Sequence, residues 1–131
     1  MQPKQIWANL AVKDVAVTRQ FYSDLGFTLN NGYNMNDTLC SIKVGEAGFV
    51  VNLFTHDHFA KLAKGGTPNL SGSNEVMFTL WAESPAEADA WAEEVHRAGG
   101  TILSQPTAFG PNYYGFEFAD PDGHKWNVFN M

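Results

Sequence analysis

The stretch NLAVKDVAVTRQFYSDLGF, Asn9 to Phe27, changes period halfway along. Together with the residues before it, IWANLAV alternates as a strand does, and from Asp14 onward the apolar residues take helical spacing. Asp14 is placed to cap the helix, Val17, Phe21 and Leu25 form one stripe, and Gly26 can end it. The same strand-then-helix element occurs a second time. EVMFTLWA, Glu75 to Ala82, reads as a strand, and SPAEADAWAEEVHRAGG, Ser84 to Gly100, reads as a helix. Ser84 is its N-cap, Pro85 its first residue, and Glu87 completes a capping box. Ala88, Trp91, Val95 and Ala98 form the apolar stripe, and Gly99 and Gly100 stop it.

Each helix is followed by three strand-like runs. In the first half these are TLNNGYNM, TLCSIKV and GFVVNLFT, with GEAG as a hairpin turn between the last two. In the second half they are TILSQPTAF, YYGFEFA and KWNVFNM, with Asp122-Gly123 as a hairpin signal. The chain therefore reads as a βαβββ unit repeated at an offset of roughly 70 residues. HDHFAKLAKGGTPNLSGSN, rich in Gly, Asn and Ser, reads as the connection, with one short helical turn after His56. Neither half is large enough to bury a good core alone, so the expectation is a single α+β domain over residues 1–131, with modules at 4–55 and 74–131 and a linker at 56–73. The eight strands are expected to form one cupped mixed sheet, helices on one side and the other side open.

Composition narrows the function. The 131 residues are 44% hydrophobic and 17% charged, as in a globular protein. Lys and Arg number 8 against 14 Asp and Glu, a formal charge of −6, which argues against nucleic acid as a partner. No apolar run is long enough to span a membrane, and the first residues lack a signal-peptide pattern. With Cys40 as the single cysteine, these features suggest a reducing, cytoplasmic setting without an intrachain disulfide.

NLAVKDVAVTRQFYSDLGF, the repeated βαβββ order and the closing FADPDGHKWNVF together resemble the vicinal oxygen chelate superfamily of glyoxalases, bleomycin-resistance proteins and extradiol dioxygenases. The resemblance covers essentially the whole chain. NLAVKD, THDHF and AGG are similar to a subgroup described as predicted lactoylglutathione lyases. The resemblance implies four inward positions that commonly hold a divalent metal through His, Gln or Glu. Carried onto this chain they fall on Trp7, Asn52, Glu75 and Asn127. An indole has no acceptor for a metal, amide oxygens are weak ligands, and one carboxylate does not hold a transition metal firmly. No metal and no other cofactor is therefore expected, unless the chain keeps the metal chemistry of the family it resembles.

Strand alternation assigns the faces. If Trp7 points into the cleft, so do Asn9, Asn52, Val50, Phe54, Glu75, Met77, Thr79, Trp81, Asn127 and Phe129, while Ala8, Leu10, Val12, Val76, Phe78 and Leu80 face the helices. Pairing across Asp122-Gly123 sets Phe118 opposite Asn127 and Phe116 opposite Phe129. The expected ligand-binding set is Trp7, Asn9, Asn52, Phe54, Glu75, Met77, Phe116, Phe118, Asn127 and Phe129. Aromatic walls with a few polar groups suit a small molecule.

Three functions fit these residues. One is a metal-free binding protein, similar to the bleomycin-resistance branch, that takes a small aromatic or cationic compound. The second is a metal-dependent lyase or dioxygenase. The third is a metal-free isomerase or lyase with Glu75 as general base. A homodimer is expected, because a cupped sheet leaves apolar surface such as Trp7 and Phe129 for a partner to cover. The other polar signals read plainly: His56 and His58 as an exposed loop pair, His124 as a surface residue beside the turn, His96 as a cation suited to a helix C-terminus, and Cys40 as a small buried residue.

Overall fold

The computed structural model describes residues 1–31 and 36–131 of the chain. The chain folds as two compact units, Met1–Asn69 and Leu70–Met131, so the division falls inside the expected connection. Unit 1 holds β1 (Trp7–Val12), α1 (Val15–Asp24), β2 (Thr28–Leu29), β3 (Leu39–Val44), β4 (Phe49–Thr55) and α2 (His56–Leu62). Unit 2 holds β5 (Met77–Trp81), α3 (Pro85–Ala98), β6 (Thr101–Phe109), β7 (Tyr113–Ala119) and β8 (Lys125–Asn130). The expected second strand shrinks to Thr28–Leu29, and its 32–35 portion lies outside the described residues.

The eight strands among the described residues hydrogen-bond as two four-stranded mixed sheets, in the orders β1-β4-β3-β2 and β5-β8-β7-β6. In each sheet the first strand runs parallel to the last and the other pairs are antiparallel. The identical order is the structural form of the sequence repeat. It equates β1 with β5, β4 with β8 and β3 with β7.

The helices form where their caps dictate. The Asp14 carboxylate accepts from the backbone N–H groups of Ala16 and Val17, and α1 begins there. Its buried stripe is Val15, Thr18, Phe21 and Tyr22, continuing to Leu25, and Val17 points outward at 51% exposed. The difference from the expected stripe has a local cause. Thr18 can occupy a buried position because its hydroxyl is satisfied by donating to Asp14 O at 3.0 Å, and the buried face runs through Thr18 rather than Val17. In α3 the Ser84 hydroxyl accepts from Glu87 N–H at 3.1 Å, and Gly99 takes the left-handed conformation, φ 92°, that ends the helix. Its fully buried side is Ala88, Ala92 and Val95, with Trp91 half-buried. Helix α1 packs on β2, β3 and β4, and α3 packs on β6, β7 and β8.

Each unit has its own helix-side core. In unit 1 this is Val12, Cys40, Ile42, Val51 and Leu53, all fully buried. In unit 2 it is Phe116, Phe118, Trp126 and Val128. The Trp126 indole lies 4.7 Å from the Phe78 ring and 6.3 Å from Phe118, contacts that contribute about 1 kcal/mol each beyond area burial.

Two expectations about unit 2 are corrected by its register. The turn between β7 and β8 is closed one residue away from a two-residue Asp-Gly loop. Pro121 has no N–H to give, and the Asp120 carboxylate accepts instead from Asp122 N–H at 3.0 Å and His124 N–H at 2.9 Å. Ala119 then pairs with Lys125, Phe118 with Trp126, Glu117 with Asn127 and Phe116 with Val128. A one-residue slip turns every side chain to the other face. Phe116 and Phe118 are therefore core, and Glu117 is the residue beside Asn127. The second correction concerns the start of β5. That strand pairs only with β8, from Met77 opposite Lys125, so Glu75 and Val76 precede it with nothing to pair against and are exposed.

Candidate functional site

The face of the unit 1 sheet opposite the core carries two adjacent rungs. One is Asn9, Asn52 and Ser41, paired in register, with Asn30 joined through its N–H to Ser41 O at 2.8 Å. The next is Trp7, Val50, Lys43 and Thr28. Alternation requires both, because the intervening residues Ala8, Val51 and Ile42 belong to the opposite face.

The first rung is knitted across β1, β4 and β3 and on to Asn30, which follows β2. Asn30 Nδ2 donates to Ser41 Oγ at 3.1 Å, the Ser41 hydroxyl donates to Asn52 Oδ1 at 2.7 Å, and Asn52 Nδ2 donates to Asn9 Oδ1 at 3.2 Å. Ser41 is fully buried and Asn30 is nearly so, which makes the two bonds through Ser41 costly to break, whereas the Asn52–Asn9 bond is exposed. Above this floor is a cavity of about 720 Å³. Ile6, Trp7, Phe49 and Val50 supply its apolar wall, and Asn30, Asn52, Lys43 and Lys4 its polar groups. No carboxylate lines it among the described residues. Trp7 remains 54% exposed and is free to cover a guest.

The corresponding rung of unit 2 is Thr79, Asn127, Glu117 and Ser104. It is not knitted. Asn127 is 3% exposed and its Oδ1 has no hydrogen-bond partner among the described residues. Ser104 Oγ accepts from the Glu117 backbone N–H at 3.1 Å, whereas the half-buried Glu117 carboxylate accepts no hydrogen bond among the described residues, so the acidic group stays available on this face.

Of the residues expected to bind a ligand, Trp7, Asn9, Asn52 and Phe54 share one face in unit 1, and Met77, Asn127 and Phe129 share one face in unit 2. Phe116 and Phe118 are on the other face, and Glu75 is exposed outside the strand. Sequence reasoning missed Ser41, Lys43 and Asn30 in unit 1 and Glu117 in unit 2. The signal for Glu117 was present in FEF: placing both rings on the open face would have buried a carboxylate beneath α3, at a cost no partner offsets. His56 and His58 lie on α2 rather than in a loop, and the His58 ring stacks on Phe54 with centroids 5.2 Å apart. His124 is buried, 5% exposed, and not a surface residue. Burial pushes the Cys40 thiol up to about 11, opposed by the nearby Arg19 charge, so it stays protonated.

The repeat also tests the fit of a metal. Trp7 stands one rung from Asn52, opposite Val50, and in unit 2 the equivalent residue one rung from Asn127, opposite Lys125, is Met77 and not Glu75. The four positions therefore carry Trp, Asn, Met and Asn. The indole offers only a donor, the thioether is a weak acceptor, and the Asn52 oxygen already accepts from Ser41. This set has no charged ligand and does not fit a divalent ion. Among the described residues no three His, Cys, Asp or Glu side chains converge elsewhere.

A family model described as the Glyoxalase/Bleomycin resistance protein/Dioxygenase superfamily matches residues 4–128. No curated protein matches the chain. Among solved structures, a hypothetical protein from S. aureus is 32% identical, with a TM-score of 0.86, over 100% of this chain and 96% of that one. A glyoxalase-related enzyme from Fulvimarina pelagi is 20% identical, TM-score 0.83, over 98% and 89% of the two chains. A lactoylglutathione lyase from Agrobacterium tumefaciens is 19% identical, TM-score 0.69, over 98% and 95%. The last two likenesses are of fold.

Proposed function

The chain belongs to the Glyoxalase/Bleomycin resistance protein/Dioxygenase superfamily, and on that premise we propose that it binds a small molecule with an aromatic body on the open face of the unit 1 sheet, without a firmly held metal. The observation that carries this reading is the cavity of about 720 Å³ with Trp7 as wall and with Asn30 and Asn52, two members of the hydrogen-bonded row, as floor. A pre-ordered polar floor under an apolar wall orients a guest at little ordering cost. Two measurements test it. Purified protein analysed for metals after dialysis against a weak chelator is expected to hold far less than one divalent ion per chain, and stoichiometric retention would overturn the metal-free part. Trp7→Ala is expected to weaken binding of an aromatic ligand by about 2 kcal/mol, the scale of a buried aromatic anchor. Unchanged affinity would remove Trp7 from the site.

A second reading, metal-free proton transfer, has its support in unit 2. Glu117, rather than Glu75, places a carboxylate beside the unpartnered Asn127 oxygen. If this carboxylate is a general base, Glu117→Gln abolishes turnover of a substrate while leaving its binding nearly intact.

A further inference from the structure

We infer that the guest of the unit 1 cavity is an organic anion: an apolar or aromatic body bearing a carboxylate or similar acceptor group, read by Lys43 and by the amide of Asn52. This rests on the reading of that cavity as a ligand site and adds to it the sign and hydrogen-bonding sense of the ligand.

Two independent features lead to it. The first is charge. The chain as a whole is acidic, at −6, yet the cavity is lined by two lysines and by no carboxylate among the described residues. Lys43 is held on the strand beside Val50, in the rung of Trp7, so the apolar wall and the ammonium group meet on one surface. A cation entering here would meet like charge beside low-dielectric walls, which strengthens the repulsion. An anion meets the opposite.

The second feature is the direction of the hydrogen bonds. The row passes its protons one way, from Asn30 to Ser41, to Asn52, to Asn9. The carbonyl oxygens of Asn52 and Asn9 each already accept one of these bonds, and Asn52, which lines the cavity, keeps a second N–H to offer. The hydroxyl of Ser41, fully buried, donates to Asn52 Oδ1 at 2.7 Å and orients that amide. An acceptor on the guest can meet the remaining N–H of Asn52 directly. The same preference thus comes from the lysines, through charge, and from the Asn52 amide, through geometry.

The test uses three probes with one ring system: 2-naphthoate, 2-naphthamide and 2-naphthylmethylammonium, titrated to millimolar concentration against the full chain labelled with nitrogen-15, with the Trp7 indole N–H as the site's own reporter. The expected order is carboxylate, then amide, then ammonium, the first exceeding the last by at least about tenfold, as a charge-assisted contact provides. Lys43→Gln is expected to remove most of the gap between carboxylate and amide, and Lys43→Arg to keep it. Lys43 is exposed, so neither change threatens folding. Added salt should narrow the gap in the same direction. If all three probes shift Trp7 with equal affinity, or the ammonium binds best, the anion assignment is overturned while the cavity remains a ligand site. If none of the three perturbs Trp7 or its neighbours, the cavity reading fails and the anion assignment with it.

Discussion

The two units place a polar rung at the same register of the same four-stranded order, and they treat it differently. In unit 1 the residues Asn30, Ser41, Asn52 and Asn9 bond to one another from strand to strand. In unit 2 the residues at the matching places include an amide oxygen, Asn127 Oδ1, that is buried with no partner among the described residues, and a carboxylate, Glu117, beside it. In the first rung the oxygens of Asn52 and Asn9 each already accept a bond. The second offers acceptors. A repeated fold therefore does not imply a repeated site: the backbone fixes where polar groups can stand, and the chemistry depends on which residues fill those places.

The sharpest way to break this comparison is to make unit 2 resemble unit 1 at a backbone position. Leu39 pairs with Phe54 in unit 1, and Gly115 holds the matching place opposite Phe129 in unit 2. A Cβ at Gly115 would collide with the Val128 carbonyl oxygen and with the Phe129 ring. Gly115→Ala is expected to cost about 3 kcal/mol, the upper end for overpacking, read as a lowered urea midpoint. A loss below about 1 kcal/mol would mean that β7 and β8 can separate here, and that the units differ less than their pairing indicates.

The next test addresses the rungs themselves. Ser41→Ala leaves the Asn30 Nδ2 and Asn52 Oδ1 without their partner and is expected to destabilise by about 1–3 kcal/mol. Asn127→Leu removes an oxygen that already lacks a partner, and is expected to leave stability unchanged or raise it by up to about 1 kcal/mol. If chemical denaturation finds the two changes equally damaging, the contrast between a knitted and an unknitted rung is wrong.

The smallest effect concerns Cys40, whose matching place in unit 2 is Phe116, so only unit 1 titrates there. The folded chain holds the Cys40 proton more tightly than the unfolded one, because burial raises its value from 9.0 to about 11. Its contribution to stability is fully present below pH 9 and disappears as pH rises through about 11. The melting temperature should fall across that window, and the slope should flatten in Cys40→Ala. In the native state below pH 9, the buried thiol should resist thiol reagents.

Much of the fold was legible because its signals are local. Asp14 and Ser84 announce their helices by side-chain caps, Gly99 ends one by its left-handed backbone, and GEAG closes a hairpin with Gly48 N–H donating to Gly45 O. The open face of unit 1 was legible in part, through the alternation that puts Trp7, Asn9, Asn52 and Phe54 together. The open face of unit 2 was misread through one turn. Asp122-Gly123 has the look of a two-residue loop, and the Asp120 carboxylate, by gathering two N–H groups around Pro121, moved the register by one residue. That single step exchanged Phe116 and Phe118 for Glu117.

By itself, then, the sequence determined the repeated βαβββ order, the helix limits set by their caps, and the absence of charged side chains at Trp7, Asn52 and Asn127, because each depends on residues a few places apart. The tertiary structure alone decided which strands lie side by side, that Met77 rather than Glu75 stands opposite the start of β8, and that Asn30, Ser41, Asn52 and Asn9 join into one row while Asn127 Oδ1 is left unpaired among the described residues. These outcomes rest on pairing between strands distant in sequence, where a shift of one residue costs little in local geometry and reverses every side chain.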